Sequence, residues 1–202
     1  MSIQMSETSL MHTRYADKIC ALYSDSAKDR GTGIAERQPD YLKTKIENGN
    51  AIIALDGDQL AGFCYIETWS HGRYVANSGL IIHPDYRKKG LARQIKDQIL
   101  ALSHRKFPTA RIFGITTSLA VMRINSKLGY EPVTFSELTQ DDAFWEGCRS
   151  CPNFDILQRN ERRLCLCTAM LAPSKEESDR MQHDLSHLIT DTKPAHLKSN
   201  DS

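Results

Sequence analysis

From Asn77 onward the chain reads Asn77-Ser-Gly-Leu-Ile-Ile-His83-Pro-Asp-Tyr-Arg87-Lys88-Lys89-Gly90-Leu91-Ala92-Arg93-Gln94-Ile95. An apolar strand enters a basic, glycine-containing turn and a helix follows at once. The strand is apolar on both faces, Pro84 ends it, and Ile95, Ile99 and Leu102 recur at helical spacing after the turn. A buried strand feeding directly into a helix points to an α/β fold with helices packed on a sheet. The turn also has a chemistry. The first N–H groups of a helix lack intrahelical partners, and the helix dipole adds partial positive charge there. Gly90 lets the backbone approach an anion, Ala92 keeps the helix start uncrowded, and Arg87, Lys88 and Lys89 add cationic charge. Such an element suits a pyrophosphate. It lacks the Gly-x-x-x-x-Gly-Lys-Ser/Thr loop, and it holds only one of the three glycines of a dinucleotide loop.

A chain of 202 residues can build one sizeable core with little left for a second domain. Its net charge of +1 gives no global argument for nucleic acid or a membrane surface. No charged segment leads into an apolar run at the N-terminus, and no stretch approaches a spanning helix. Six cysteines without such a leader suggest a reducing, cytoplasmic setting. Residues 1–7 read as a loose end. Helices are expected over 14–30, broken by Gly31-Thr-Gly33, and over 39–47. A hairpin follows at 51–55 and 60–66, with its turn at Asp56-Gly57-Asp58. The strand at 74–82 and helix at 90–104 carry the opening motif. A strand at 110–116, a helix at 119–128 and strands at 129–133 and 164–171 complete the order. Residues 173–202 read as a polar, flexible tail with one short amphipathic helix.

The turn Arg87-Lys88-Lys89-Gly90-Leu91-Ala92 resembles the Arg/Gln-x-x-Gly-x-Gly/Ala signature of the GCN5-related N-acetyltransferases (GNATs). With the order of elements, the resemblance covers about residues 8–172. It implies a GNAT fold: a mixed central sheet with a splayed acyl-CoA cleft, flanked by helices. Residues 1–172 would form the acyltransferase domain. Acetyl-CoA is then the expected co-substrate, with succinyl-CoA as an alternative donor, and the pyrophosphate would rest on Arg87, Lys88, Lys89, Gly90, Leu91 and Ala92. Backbone N–H groups near Leu80, Ile81 and Ile82 would face the thioester carbonyl. Transfer would be direct, with no nucleophilic Ser or Cys.

Family members often read Asn-x-x-Ala-x-x-x-Tyr-x-Lys-x-Gly-Phe around the fourth helix. Aligning Lys127-Leu128-Gly129-Tyr130 puts Ser118 at the Asn, as a CoA contact, and Asn125 at the Tyr. Asn125 donates a hydrogen bond but gives up no proton. A thiol of pKa roughly 8.5 leaves without strict need of an acid. Glu67, at the open end of the strand Phe63-Cys-Tyr-Ile-Glu67, is the candidate base. His71 and His83 are weaker candidates.

The flanks resemble the acetyltransferase domain of bacterial N-acetylglutamate synthases. The matching stretches are Arg30-Gly-Thr-Gly-Ile34-Ala-Glu-Arg37-Gln-Pro-Asp-Tyr41-Leu42, Gly129-Tyr-Glu-Pro-Val133, and Arg162-Arg163 entering the last strand. In those synthases arginines here hold the carboxylates of glutamate, which implies substrate roles for Arg37 and Arg163. Forked guanidinium donors suit a dicarboxylate. The chain departs from the pattern at Glu67, where a lysine is expected, and at Leu164, where a serine is. The amino-acid kinase domain that precedes this module in those synthases has no counterpart here, so feedback through it is not expected. The expected acceptor is a small amine, first of all glutamate, in an arginine-biosynthesis role. Another small amine (a different amino acid, a polyamine or an antibiotic), a protein N-terminus, or a non-catalytic CoA-binding regulatory module are the alternatives, and paired arginines would repel a polyamine. Members of the family often form homodimers.

Cys148, Cys151, Cys165 and Cys167 have spacing reminiscent of thiolate metal sites. They also read as free thiols packed with Phe144 and Trp145. No metal is assigned.

Overall fold

Residues 51–56 and 59–69 alternate apolar side chains on both faces, so the hairpin they form must be covered on both sides. The computed structural model, which describes residues 2–30 and 34–191, puts that hairpin near one end of a seven-stranded mixed sheet. The strands are β1 (Ile3–Glu7), β2 (Ala51–Asp56), β3 (Gln59–Trp69), β4 (Tyr74–Ile82), β5 (Arg111–Thr116), β6 (Glu131–Val133) and β7 (Thr168–Ala172). Their spatial order is β1-β2-β3-β4-β5-β7-β6, and every pairing is antiparallel except β4 with β5.

The period of two sorts the strands between two cores. Ile52, Ala54, Cys64 and Ile66 face α3 (Leu91–Lys106), which lays Leu91, Ile95, Ile99 and Leu102 against them. Ala51, Ile53, Phe63 and Tyr65 face the other way. They meet Ile19, Leu22 and Tyr23 of α1 (Ala16–Arg30) and Leu42 and Ile46 of α2 (Pro39–Glu47). A third cluster forms where β5 and β7 meet the segment between β6 and β7. That segment carries α5 (Asp142–Glu146) and α6 (Phe154–Arg159), with α4 (Leu119–Lys127) preceding β6.

Three expectations change. Residues 3–7 form an edge strand paired with β2 from Ile3↔Asp56 to Glu7↔Ile52, although only alternate residues are partly buried; backbone pairing at a sheet edge needs little apolar side-chain signal. The last strand begins at Thr168, and Leu164 and Leu166 are exposed. The stretch from 175 is a helix of 17 residues, α7 (Lys175–Asp191). A reciprocal cap starts it: Ser174 N–H donates to Glu177 Oε2 at 2.8 Å, and Glu177 N–H donates to Ser174 Oγ at 3.1 Å. Residues 192–202 and the expected break at 31–33 lie outside the described residues. Among the described residues no helix is long and apolar enough to cross a membrane.

Candidate active site

Strands β4 and β5 pair only over Tyr74–Ala76 and Arg111–Phe113. Beyond Asn77 and Gly114 they part, and a cavity of about 530 Å³ opens between them. A hydrogen-bonded post holds the point of parting. Tyr130 Oη donates to Asn77 Oδ1 at 2.7 Å, and Asn77 Nδ2 donates to Ser103 Oγ of α3 at 2.8 Å.

The strand that borders the cavity is bulged. Ser78 pairs with Tyr65 and Ile81 with Phe63, so Gly79 and Leu80 lie opposite the single residue Cys64. Gly79 takes φ +63, and a Cβ there would lie 2.4 Å from both Tyr23 Oη and Tyr65 Cε1. The Tyr23 hydroxyl donates to the Gly79 carbonyl. Only glycine satisfies both the backbone and the space. Of the three expected oxyanion donors, Leu80 borders the cavity. Ile81 is buried in the α1–α2 core, and Ile82 packs on the α3 side.

The basic turn stands at the α3 N-terminus, outside the cavity lining, with Lys88, Lys89 and Gly90 exposed. Lys88 (φ 61) and Gly90 (φ 80) both take left-handed backbone, which at Lys88 costs about 1–2 kcal/mol. Among the described residues no side chain caps the helix at Gly90, so its first N–H groups have no side-chain partner. Arg87 is anchored at the base of the turn: Nε donates to Ile82 O at 3.1 Å and Nη2 to Ser26 Oγ at 3.2 Å. Ser118 caps α4, accepting from Val121 N–H at 3.4 Å, and does not line the cavity.

Asn125 does line it and is 1% exposed. Its Nδ2 donates to Met170 Sδ at 3.7 Å, while Oδ1 is buried with no partner among the described residues. Trp69 Nε1 and Asn153 Nδ2 are also buried without partners, and both residues line the same cavity. Of the four such atoms among the described residues, these three border the cavity and the fourth, Thr8 Oγ1, does not.

The opposite rim holds Arg37 and Glu67. Arg37 Nε donates to Tyr65 Oη at 2.5 Å, and Nη1 donates to Ala35 O at 2.8 Å and Glu36 O at 3.1 Å. Burial works against its charge, but Tyr65, Tyr23 and Glu67 together outweigh it and the guanidinium's pKa is raised. Glu67 accepts from the Tyr41 hydroxyl. Burial and then the Glu67 charge raise the Tyr41 pKa, so Tyr41 stays a phenol and keeps the proton it donates. Arg163 is elsewhere. Its side chain is 80% exposed, pairs with Glu161 at 3.0 Å, and does not line the cavity. The expected pair of arginines is therefore not brought together, because residues 160–167 form a turn before β7 rather than its first residues. His71 sits exposed in the β3–β4 turn; His83 Nδ1 accepts from Asp85 N–H at 3.4 Å.

The segment between β6 and β7 closes one end of the cavity with Phe135, Phe144, Trp145 and Phe154. Ser150 Oγ accepts from Glu36 N–H at 3.1 Å, and Ser70 Oγ meets Thr139 Oγ1 at 2.7 Å, so the segment is tied to both sides of the opening. Cys148, Cys151, Cys165 and Cys167 also line the cavity. Burial and neighbouring thiols push Cys148 up to about 11 and Cys167 up to about 12. Cys148 and Cys167 are therefore neutral thiols at neutral pH rather than nucleophiles. Among the described residues no group of three or more His, Cys, Asp or Glu side chains is arranged to hold a metal.

Lys96, Tyr41, Tyr65, Trp69 and the aromatic wall escape a reading of the sequence. Lys96 had a signal: it interrupts the apolar margin of α3 beside Ile95, where a solvated lysine is out of pattern.

The model of the acetyltransferase (GNAT) family matches residues 17–118. No curated protein matches the chain in sequence. Among solved structures, N-acetylglutamate synthase from Neisseria gonorrhoeae, complexed with coenzyme A and N-acetyl-glutamate, is 16% identical with a TM-score of 0.61, over 86% of this chain and 35% of that one. The chain thus spans about a third of that synthase's length. The protein yncA from Salmonella typhimurium, with its cofactor acetyl-CoA, is 12% identical with a TM-score of 0.58, over 86% and 94%. The ribosomal-protein-S18-alanine N-acetyltransferase from Escherichia coli is 11% identical with a TM-score of 0.54, over 86% and 94%. At such identities these likenesses bear on the fold.

Proposed function

The chain belongs to the acetyltransferase (GNAT) family, and from that premise we propose that it moves an acetyl group from acetyl-CoA to the amine of an amino acid. The observation that carries this reading is that Arg37 and Glu67 line the same cavity as the bulged strand at Leu80. A carboxylate acceptor and an ammonium acceptor then stand near one another, as an α-amino acid requires. The proposed unit for this activity is residues 1–172.

In this reading the turn at Arg87–Ala92 holds the pyrophosphate and the acyl arm enters between β4 and β5. Arg37 holds the acceptor's carboxylate with the donors that Tyr65 and the two carbonyls leave free. Glu67, hydrogen-bonded to Tyr41, takes the ammonium proton directly or through water. The neutral nitrogen attacks the thioester carbon, and the Leu80 N–H receives the oxyanion. The carbon–sulfur bond then breaks.

Glutamate is the acceptor that the resemblance in the flanks suggests, and it would put the enzyme in arginine biosynthesis. It needs a second cation for its side chain, and Arg163 does not line the cavity. The aromatic wall of Phe135, Phe144 and Trp145 supports a second reading, an amino acid with an apolar side chain. Thiol release from acetyl-CoA and succinyl-CoA against a panel of amino acids tests both. Turnover with glutamate that collapses in Arg37→Ala supports the first, and turnover confined to apolar amino acids supports the second. Absence of turnover with every amino acid, despite CoA binding, defeats the amino-acid reading.

A further inference from the structure

Lys96 is a buried cation that the transfer chemistry above leaves unused. It lies on α3 beside Ile95, is 2% exposed, and borders the cavity together with Asn77, Gly114 and Asn125. Its Nζ stands 4.9 Å from the centre of the Tyr130 ring. The titratable groups that face it are the Cys64 thiol from β3 and Tyr130 ahead of β6. Among the described residues no carboxylate is paired with it. Burial therefore pulls its pKa down, and burial holds the Cys64 thiol up at about 11, too high to serve as its counter-ion. A buried ammonium without a counter-charge is costly. On the cavity wall, this ammonium is placed to pair with an anion that enters beside it.

The transfer produces one such anion, the sulfur of CoA. Asn125, at the position where the family's tyrosine is expected, has its Nδ2 on Met170 Sδ and no proton to give. We propose that Lys96 is the counter-charge of the leaving thiolate. The inference rests on the acetyl-CoA reading but not on which acceptor is used. The acceptor nitrogen's lone pair forms the new carbon–nitrogen bond. The tetrahedral intermediate collapses, the carbon–sulfur bond breaks, and its electron pair stays on sulfur against the Lys96 ammonium. The proton shed by nitrogen passes to Glu67 and solvent and reaches sulfur as CoA leaves. Lys96 keeps its own proton throughout.

The test is an ultraviolet titration of the thiolate of CoA bound to the full chain, read as a difference against the desulfo-CoA complex so that the protein's own thiols cancel. In the wild type the bound thiol is expected to ionise about one pH unit or more below free CoA. Lys96→Met should abolish that shift while desulfo-CoA binding changes by less than about threefold, since the analogue offers no charge to lose. Lys96→Arg should keep part of the shift. A wild-type complex whose bound thiol ionises with free CoA, or above it, overturns the proposal without any variant having to fold. A shift that persists in Lys96→Met overturns it as well. If the wild type binds neither CoA nor desulfo-CoA, the acetyl-CoA reading itself falls and Lys96 loses its role with it.

Discussion

The strand, turn and helix from Asn77 to Lys106 form one unbroken piece of chain, whereas the acceptor end is gathered from residues 34–41, from Glu67 and Trp69, and from 135–167. The first region works through backbone: a bulge at Gly79, a left-handed Gly90, an uncapped helix start. The second works through side chains held by other side chains, Arg37 by Tyr65 and Glu67 by Tyr41. The turn at Gly90 needs only local sequence, whereas the bulge at Gly79 is also fixed by Tyr23 and Tyr65 packed against it. A site of packed side chains is specific to its occupant and fails one contact at a time.

The largest effect should come from the backbone region. Gly79→Ala adds a Cβ at φ +63 against Tyr23 and Tyr65, and should destabilise the protein by about 2–5 kcal/mol in urea unfolding. A loss under about 1 kcal/mol would mean that the bulge relaxes and that the contrast with the acceptor end is overstated. Next, Arg37→Ala should cost about 10–150-fold in kcat/KM for the acceptor, the worth of a charge-assisted bond, with KM for acetyl-CoA little changed. Gly90→Asp should do the reverse, raising KM for acetyl-CoA about tenfold by putting a negative charge where the pyrophosphate docks. If both variants raise the same KM, the two regions are not separate.

Smaller effects sharpen the division. Lys96→Met removes a buried, uncompensated charge and should raise Tm by about 2–6 °C in calorimetry even as it impairs transfer. Stability should also depend on pH in a definite sense. Burial raises the folded-state pKa of Tyr23, Tyr41, Tyr65 and Tyr130. Above pH roughly 10 the folded state therefore binds more protons than the unfolded chain, and stability present below that pH is lost as it rises. Tyr65→Phe should flatten that alkaline limb in a urea series. Arg163→Ala, exposed and paired only with Glu161, should change kcat/KM by less than about twofold.

Legibility followed the same division. Ile95, Ile99 and Leu102 announced α3, and the Gly90 turn announced the anion site, because period and turn chemistry are local. Strand β1 was missed because an edge strand gains its place from backbone pairing with β2 rather than from an apolar pattern. Arg37 follows from the resemblance and Glu67 from its place at the open end of a strand, and both line one cavity; Arg163 does not, because the chain turns at Glu161 and Arg162 before the last strand begins. The cysteines near 148–167 read equally as ligands or packing groups from spacing alone. Their burial beside Phe144 and Phe154 is a matter of three-dimensional arrangement.

By itself the sequence determined the alternation that buries both faces of β2 and β3, the amphipathic stripe of α3, and the backbone geometry of the turn between β4 and α3. Each depends on residues within a few positions of one another, whose conformational preferences act before any long-range contact forms. Only the tertiary structure decided that β4 and β5 part after Ala76 and Phe113, that among the described residues no carboxylate pairs with Lys96 at that parting, and that an aromatic wall more than fifty residues beyond Asn77 closes over it. Charge burial and cavity shape are properties of what packs around a side chain, and no residue's own sequence neighbours specify that.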